Sequence, residues 1–301
     1  MLTPLHASYA PAPTGWKRSP PSNASGWGLA SKPFGTWQER TFFLSLLAQL
    51  GVLVLSFVAF GQWDTMHDIL KVVLILETVV QGVEFCWYST IGSLYLCGRY
   101  HIGTGARYFD WAITTPVMLV TLMFYALWES DRCLTTLNIV ENERGTYLAI
   151  IIIFDWIMLL YGYAYANKNL TLIGIFDYIP VKLLGFRDNA GIYLGWVPFL
   201  GAFTPLFIMM GTEKFKLGGI LSISVSFVAW ALYGLVAVMT FFHETLSEQD
   251  ANTAYNLLDI VSKNVLGVVV STVVLSNNGT AVENCYSPPL LPPAAPPLPP
   301  P

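Results

Sequence analysis

Charge is what this chain has least of. Only 11% of its 301 residues are Asp, Glu, Lys or Arg, against 54% hydrophobic and 14% aromatic, and its mean hydropathy is +0.54. A soluble domain of this length needs more charge than that on its surface, so soluble classes are excluded. The 15 basic residues form no dense run and the formal net charge is -4, which leaves nucleic acid without an electrostatic footprint. Cysteine is also scarce: Cys86, Cys97, Cys133 and Cys285 lie far apart with no CxxC pair, which argues against a metal knuckle or a disulfide framework. The leader lacks the basic start, apolar middle and small-residue cleavage site of a signal peptide, so the first apolar helix is expected to direct insertion. Tandem repeats and a second globular domain are absent as well.

What the chain does have is apolar runs of about 20 residues, each enough to cross about 30 Å of hydrocarbon as helix. Apolar length and the polar clusters between runs predict seven spans, at about 40–61, 68–97, 107–127, 146–166, 190–211, 217–242 and 253–276. The fold class expected is therefore an all-α membrane protein, a seven-transmembrane-helix bundle. Residues 1–39, rich in Pro, Gly, Ser and Trp, read as a loosely ordered leader; 40–276 are the bundle; 277–301 end in a proline tract expected as a polyproline II tail outside the bilayer. The loop of about 24 residues between spans four and five carries an apolar patch suited to the membrane surface or to covering a ligand. Loop basicity does not choose an orientation, because Lys17, Arg18, Lys32 and Arg40 on one side face Arg132, Arg144, Lys214 and Lys216 on the other.

The few charges inside the spans carry the functional signal. A lysine in the middle of a span costs roughly 3 kcal/mol even on the mild insertion scale, and Lys263 sits in YNLLDIVSKNVLGVVV, four residues after Asp259. That spacing puts both side chains on one helix face, where carboxylate and cation offset each other's desolvation. Span three, RYFDWAITTPVML, adds Arg107, Asp110, Thr114 and Thr115, giving four converging charges that sum to zero. A structural ion network that locks helices together is the bland alternative; ionisable residues converging from several spans are functional by default. A desolvated amine beside two carboxylates also suits an aldehyde cofactor, since the cation formed on condensation needs counterions. Trp111, Trp230 and Tyr233 are placed to wall a long flat ligand, although aromatics in a bundle are more often plain core. His67, His101 and His243 lie near span ends without clustering and read as interfacial side chains.

RYFDWAITTP, WALYG and LDIVSK, in that order between residues 40 and 276, resemble the third-, sixth- and seventh-helix motifs of the microbial (type 1) rhodopsin family. The resemblance implies a photoreceptor and not an enzyme, with all-trans retinal held as a protonated Schiff base on Lys263. It implies that Asp110 and Asp259 are the counterions and that Arg107 organises the extracellular water network. Trp111, Thr115, Met118, Met158, Gly162, Trp230 and Tyr233 would line the pocket with Asp155 in support, and Trp196 is a looser match. It further implies an outside N-terminus, a cytoplasmic C-terminus, a lipid bilayer as surroundings and a homo-oligomeric assembly. On that orientation Asn278 is cytoplasmic, leaving Asn23 and Asn169 as candidate glycosylation sequons.

Three modes remain open. Proton pumps of the family usually carry a second carboxylate eleven residues after the counterion, where this chain has Thr121, which cannot hold and release a proton near neutral pH. Span two instead carries Glu77, Gln81 and Glu84 at i, i+4 and i+7, a polar stripe able to line a hydrated cation path. The stripe and the sequence YNLLDIVSKN resemble the viral and protist rhodopsins of the channelrhodopsin-like kind, and Thr115 with Asp155 takes the place of the pair that controls their closing. Cys is common there at the position of Thr115. A light-gated channel for small cations is expected, with Glu77, Gln81, Glu84 and Asp155 along the ion pathway; the alternatives are a light-driven outward proton pump and a sensory rhodopsin signalling through a partner.

Overall fold

The computed structural model describes residues 35–97, 106–166, 195–241 and 243–276. Among these residues it contains helices and no strands. Seven long helices follow one another: α1 (Trp37–Ala59), α2 (Asp68–Leu96), α3 (Arg107–Ser130), α4 (Glu143–Ala166), α5 (Trp196–Thr212), α6 (Leu217–Phe241) and α7 (Glu248–Ser276). A 3-10 stretch, Phe60–Thr65, extends α1, and a short helix, Thr136–Val140, bridges α3 to α4. Five of the seven are long and apolar enough to cross a bilayer by themselves. The other two complete the bundle: α2 carries buried Glu77, Gln81 and Glu84 in its middle, and α5 spans 17 described residues. Residues 1–34 of the expected leader, the proline tail, the sequons, the long loop from residue 167 and His101 lie outside the described residues, whereas residues 37–39, expected in the leader, form the first turn of α1.

Local chemistry explains where the helices begin. Thr36 and Glu39 form a capping box at the start of α1, each side chain taking the other's backbone N–H at 3.2 Å. Ser247 caps α7 by accepting from the Asp250 amide at 3.1 Å, and Asp250 and Glu248 place negative charge in that first turn. Each helix packs on its chain neighbours, and α1 closes the ring on α7. In addition α3 contacts α6 across the ring, and its Met118–Trp128 segment is almost wholly buried. The main apolar core runs from Leu74 and Val80 of α2 through Leu119 and Leu122 of α3 to Phe203 of α5 and Trp230 of α6. Side chains such as Leu47, Val54, Ile153, Val197 and Val228 point outward and exposed, as lipid-facing residues of a membrane bundle do.

Among the described residues no group of three His, Cys, Asp or Glu side chains could hold a metal, and Cys86 and Cys97 are free. Cys133 is disulfide-bonded, a bond that the wide cysteine spacing did not indicate.

Candidate functional site

Lys263 stands on a local defect of α7. Residues Ile260–Asn264 adopt the wider spacing of a π-helix, which strips a carbonyl of its usual partner in the next turn. The Lys263 carbonyl accepts from Gln81 Nε2 of α2 at 3.2 Å. Its side chain is 2% exposed and enters the middle of the bundle.

Three carboxylates meet the amine. Asp259 Oδ1 lies 3.2 Å from Nζ and Asp110 Oδ2 lies 3.4 Å away, bringing together the two acids expected from the sequence. The third is Glu84 of α2, in direct ionic contact with Nζ. Sequence reasoning gave Glu84 to the stripe of α2; it lies two turns from Glu77 on the same face, and that face reaches the lysine. The cluster therefore holds one acid more than the neutral set of four charges expected.

Asp259 is the best-satisfied of the three. It accepts from the Tyr233 hydroxyl at 2.6 Å, from the Tyr88 hydroxyl at 2.6 Å and from Arg107 Nη1 at 2.9 Å. Arg107, 3% exposed, also bonds the Asn256 side chain and Asn252 Oδ1 at 3.4 Å. Asn256 is held in turn by Thr41 Oγ1 of α1 at 3.0 Å. Four polar partners, Asp259, Tyr88, Asn252 and Asn256, thus compensate one buried guanidinium, and removing one side of such a pair costs about 3–5 kcal/mol. Tyr88, Asn252 and Asn256 were not singled out in the sequence, although Asn252 and Asn256 fall seven and three residues before Asp259, on the helix face it shares.

On the other side of Lys263 lies a cavity of about 120 Å³, walled by Trp111, Met118, Met158, Trp230 and Tyr233, with Thr115 and Gly162 also on its lining. All seven pocket residues expected from the sequence line it, and so does Trp196. Tyr108, Phe199 and Tyr255 join them; Tyr255 lies two turns before Lys263 on α7. Glycine is required at 162, because a Cβ there would sit 2.6 Å from the Tyr108 hydroxyl. Trp111 meets Tyr233 and Tyr255 edge to face at 5.3 and 5.5 Å, which makes that wall stiff. An aldehyde joined to the amine would have a flat apolar slot for its tail and acids for the cation. The residues present fit retinal on both counts.

Asp155, buried on α4, sits apart from the stripe of α2 and meets α3. Thr115 Oγ1 contacts Asp155 Oδ2 at 2.8 Å and the Trp111 carbonyl at 2.8 Å. The stripe itself faces α1 and α7. Gln81 Nε2 donates to Glu77 Oε1 at 2.6 Å, and a Cβ at Gly267 of α7 would lie 2.6 Å from that same oxygen. Further along this seam Ser56 of α1 meets Ser271 of α7 at 3.3 Å. The buried side chains of Gln49 and Asn264 have no hydrogen-bond partner among the described residues.

The family profile for bacteriorhodopsin-like proteins matches residues 38–277. No curated protein sequence matches the chain. Among solved structures, viral rhodopsin OLPVRII is 22% identical with a TM-score of 0.61, covering 80% of this chain and 98% of its own. Xanthorhodopsin, a light-driven ion pump with a dual chromophore, is 16% identical with a TM-score of 0.60, covering 79% and 92%. Halorhodopsin, a light-driven chloride pump, is 15% identical with a TM-score of 0.59, covering 83% and 100%. At these identities the likeness speaks for the fold.

Proposed function

The chain belongs to the bacteriorhodopsin-like family of integral membrane proteins, and from that premise we propose that it carries retinal on Lys263 and works as a light-gated cation channel. The coarser function, a retinal photoreceptor that transports ions across the bilayer and not an enzyme, follows from the family itself. Bound through its aldehyde to Lys263 Nζ, retinal supplies absorption of visible light and an isomerisation that moves the nitrogen.

The observation that carries the channel reading is the polar seam between α1, α2 and α7. Gln49, Ser56, Glu77, Gln81, Asn264 and Ser271 are all buried there, and Gln81 hydrogen-bonds the Lys263 backbone. Displacing Lys263 Nζ disturbs its contacts with Glu84 on α2 and Asp110 on α3 together. Passing a proton from the lysine nitrogen to Asp110 or Glu84 cancels the charge pairing that draws α2, α3 and α7 together. Small helix shifts then open the seam to water, and Glu77 with the side-chain oxygens of Gln49, Gln81 and Asn264 offers cations an acidic, amide-lined route.

Two observations bear on the rivals. Thr121, the position at which a pump would hold its second carboxylate, spends its hydroxyl on the Val117 carbonyl at 2.8 Å, which speaks against fast proton pumping. For a purely sensory role the described residues offer no comparable built feature. The same reading places the N-terminus outside and the C-terminus in the cytoplasm, with Arg107 toward the outer end, and has the chain assemble with copies of itself. Voltage-clamp recording under illumination tests it: the photocurrent should reverse with the cation gradient. Outward current insensitive to that gradient would make the protein a pump, and the absence of any current would make it a sensor.

A further inference from the structure

Pro116 lies inside α3, five residues after Trp111. Having no N–H, it leaves the carbonyl of Ala112, one turn earlier, without its usual helical partner. On the lipid-facing surface of a membrane helix no water is at hand to replace that partner, so another protein group must do so. Trp156 of α4 does: its Nε1 donates to the Ala112 carbonyl at 3.0 Å. The indole is 54% exposed, so it is not held there by burial in the core. Trp156 is also the residue after Asp155, whose carboxylate meets Thr115 at 2.8 Å.

We propose that Trp156 is a positioning residue for the photocycle, its indole N–H tying α4 to the carbonyl that Pro116 frees and thereby setting the rate at which α3 and α4 return to their dark arrangement. The proposal rests on the light-driven reading above and deepens it. It concerns the pace of recovery, whichever ions move. The Ala112 carbonyl lies one residue after Trp111 on α3, so a movement of Asp110 and Trp111 strains this bond directly. Because the Thr115–Asp155 and Ala112–Trp156 bonds come from adjacent residues on α4 and from residues one turn apart on α3, they form a two-point clamp; either alone would leave α4 free to rotate.

The test is flash photolysis of the full chain reconstituted with all-trans retinal in lipid nanodiscs. Trp156→Phe keeps an aromatic ring and removes the N–H together with the five-membered half of the indole, so a proline-free background is what separates the bond from the packing. It should keep the visible band and slow recovery of the dark state about three- to tenfold, the range expected for loss of one neutral hydrogen bond. In a Pro116→Ala background residue 116 regains an N–H for the Ala112 carbonyl, and there Trp156→Phe should change recovery by less than twofold. Recovery unchanged in Trp156→Phe alone would overturn the proposal. So would equal slowing in both backgrounds, which would assign the effect to ring packing. A chain that forms no visible pigment at all would instead sink the retinal reading and is told apart at the first absorption spectrum.

Discussion

Lys263 and Arg107 are the two cations of the central cluster, and Glu84, Asp110 and Asp259 are its three acids. A neutral cluster therefore keeps one proton among the three, because an unbalanced charge in a low-dielectric interior is expensive. Asp259 has the strongest claim to be ionised, with two hydroxyls and a guanidinium donating to it. Glu84 is in direct ionic contact with the amine. A negative charge at the cationic end of a polyene lowers the dark state more than the excited state, in which the positive charge has moved along the chain. Glu84→Gln should therefore shift the visible band to longer wavelength, read by absorption spectroscopy of the purified pigment. An unmoved band would show that Glu84 carries the shared proton.

Charged residues in apolar runs announced Lys263, Asp259, Arg107 and Asp110 in the sequence, since each costs too much to be accidental. Glu84 was visible too, but its membership of a regular stripe hid its tie to the lysine. Tyr88 gave no signal, because a tyrosine near the end of a span is ordinary and only the fold brings it to Asp259.

At the scale of the helix, α7 concentrates the specialised geometry. Its π segment carries Lys263, whose carbonyl accepts from Gln81 of α2, and Gly267, one turn later, lets α7 press against Glu77 and Gln81. A Cβ at that position would stand 2.5 Å from Val52 Cγ1, 2.6 Å from Glu77 Oε1 and 2.9 Å from Gln81 Nε2. Gly267→Ala should therefore cost about 1–3 kcal/mol in overpacking, more than the helix propensity that alanine restores. Thermal denaturation of the pigment should show a lower Tm, and the photocurrent should fall because α1 and α7 are wedged apart at the seam. A higher Tm would mean that the seam has slack, which the channel reading does not allow.

Among the described residues most span ends were legible from apolar length to within about three residues, although α7 starts at Glu248, five residues before the expected 253. At α1 the predicted start at 40 falls three residues inside the helix, which its capping box begins at Trp37. The π segment was not legible, because a shift of hydrogen-bond register leaves the same residues on the same stretch of chain. Pairing between spans was likewise out of reach where no charge marks it, as with Ser45 Oγ of α1 donating to the Asn256 carbonyl of α7 at 2.7 Å.

For the whole molecule, a ring of seven helices is the answer to two demands that the sequence makes together. Each span must satisfy its own backbone in lipid, which helices do. The buried ions must also be screened by helices on every side, which a closed ring with α3 pressed into it does. Neighbours with only 15% to 22% identity keep this arrangement, as expected if apolar length and a few interior charges specify it rather than particular packing residues. Mode of action is less determined at this scale. The same ring serves light-driven pumps in xanthorhodopsin and halorhodopsin, so the channel reading stands on the α1–α2–α7 seam alone.

The account as a whole depends on Lys263 being the attachment point. Chain expressed with all-trans retinal and purified should show a visible absorption band and Lys263→Ala should show none, while keeping the helical content of the parent by circular dichroism. A coloured Lys263→Ala protein would contradict the account, as would a parent chain that stays colourless with the aldehyde supplied.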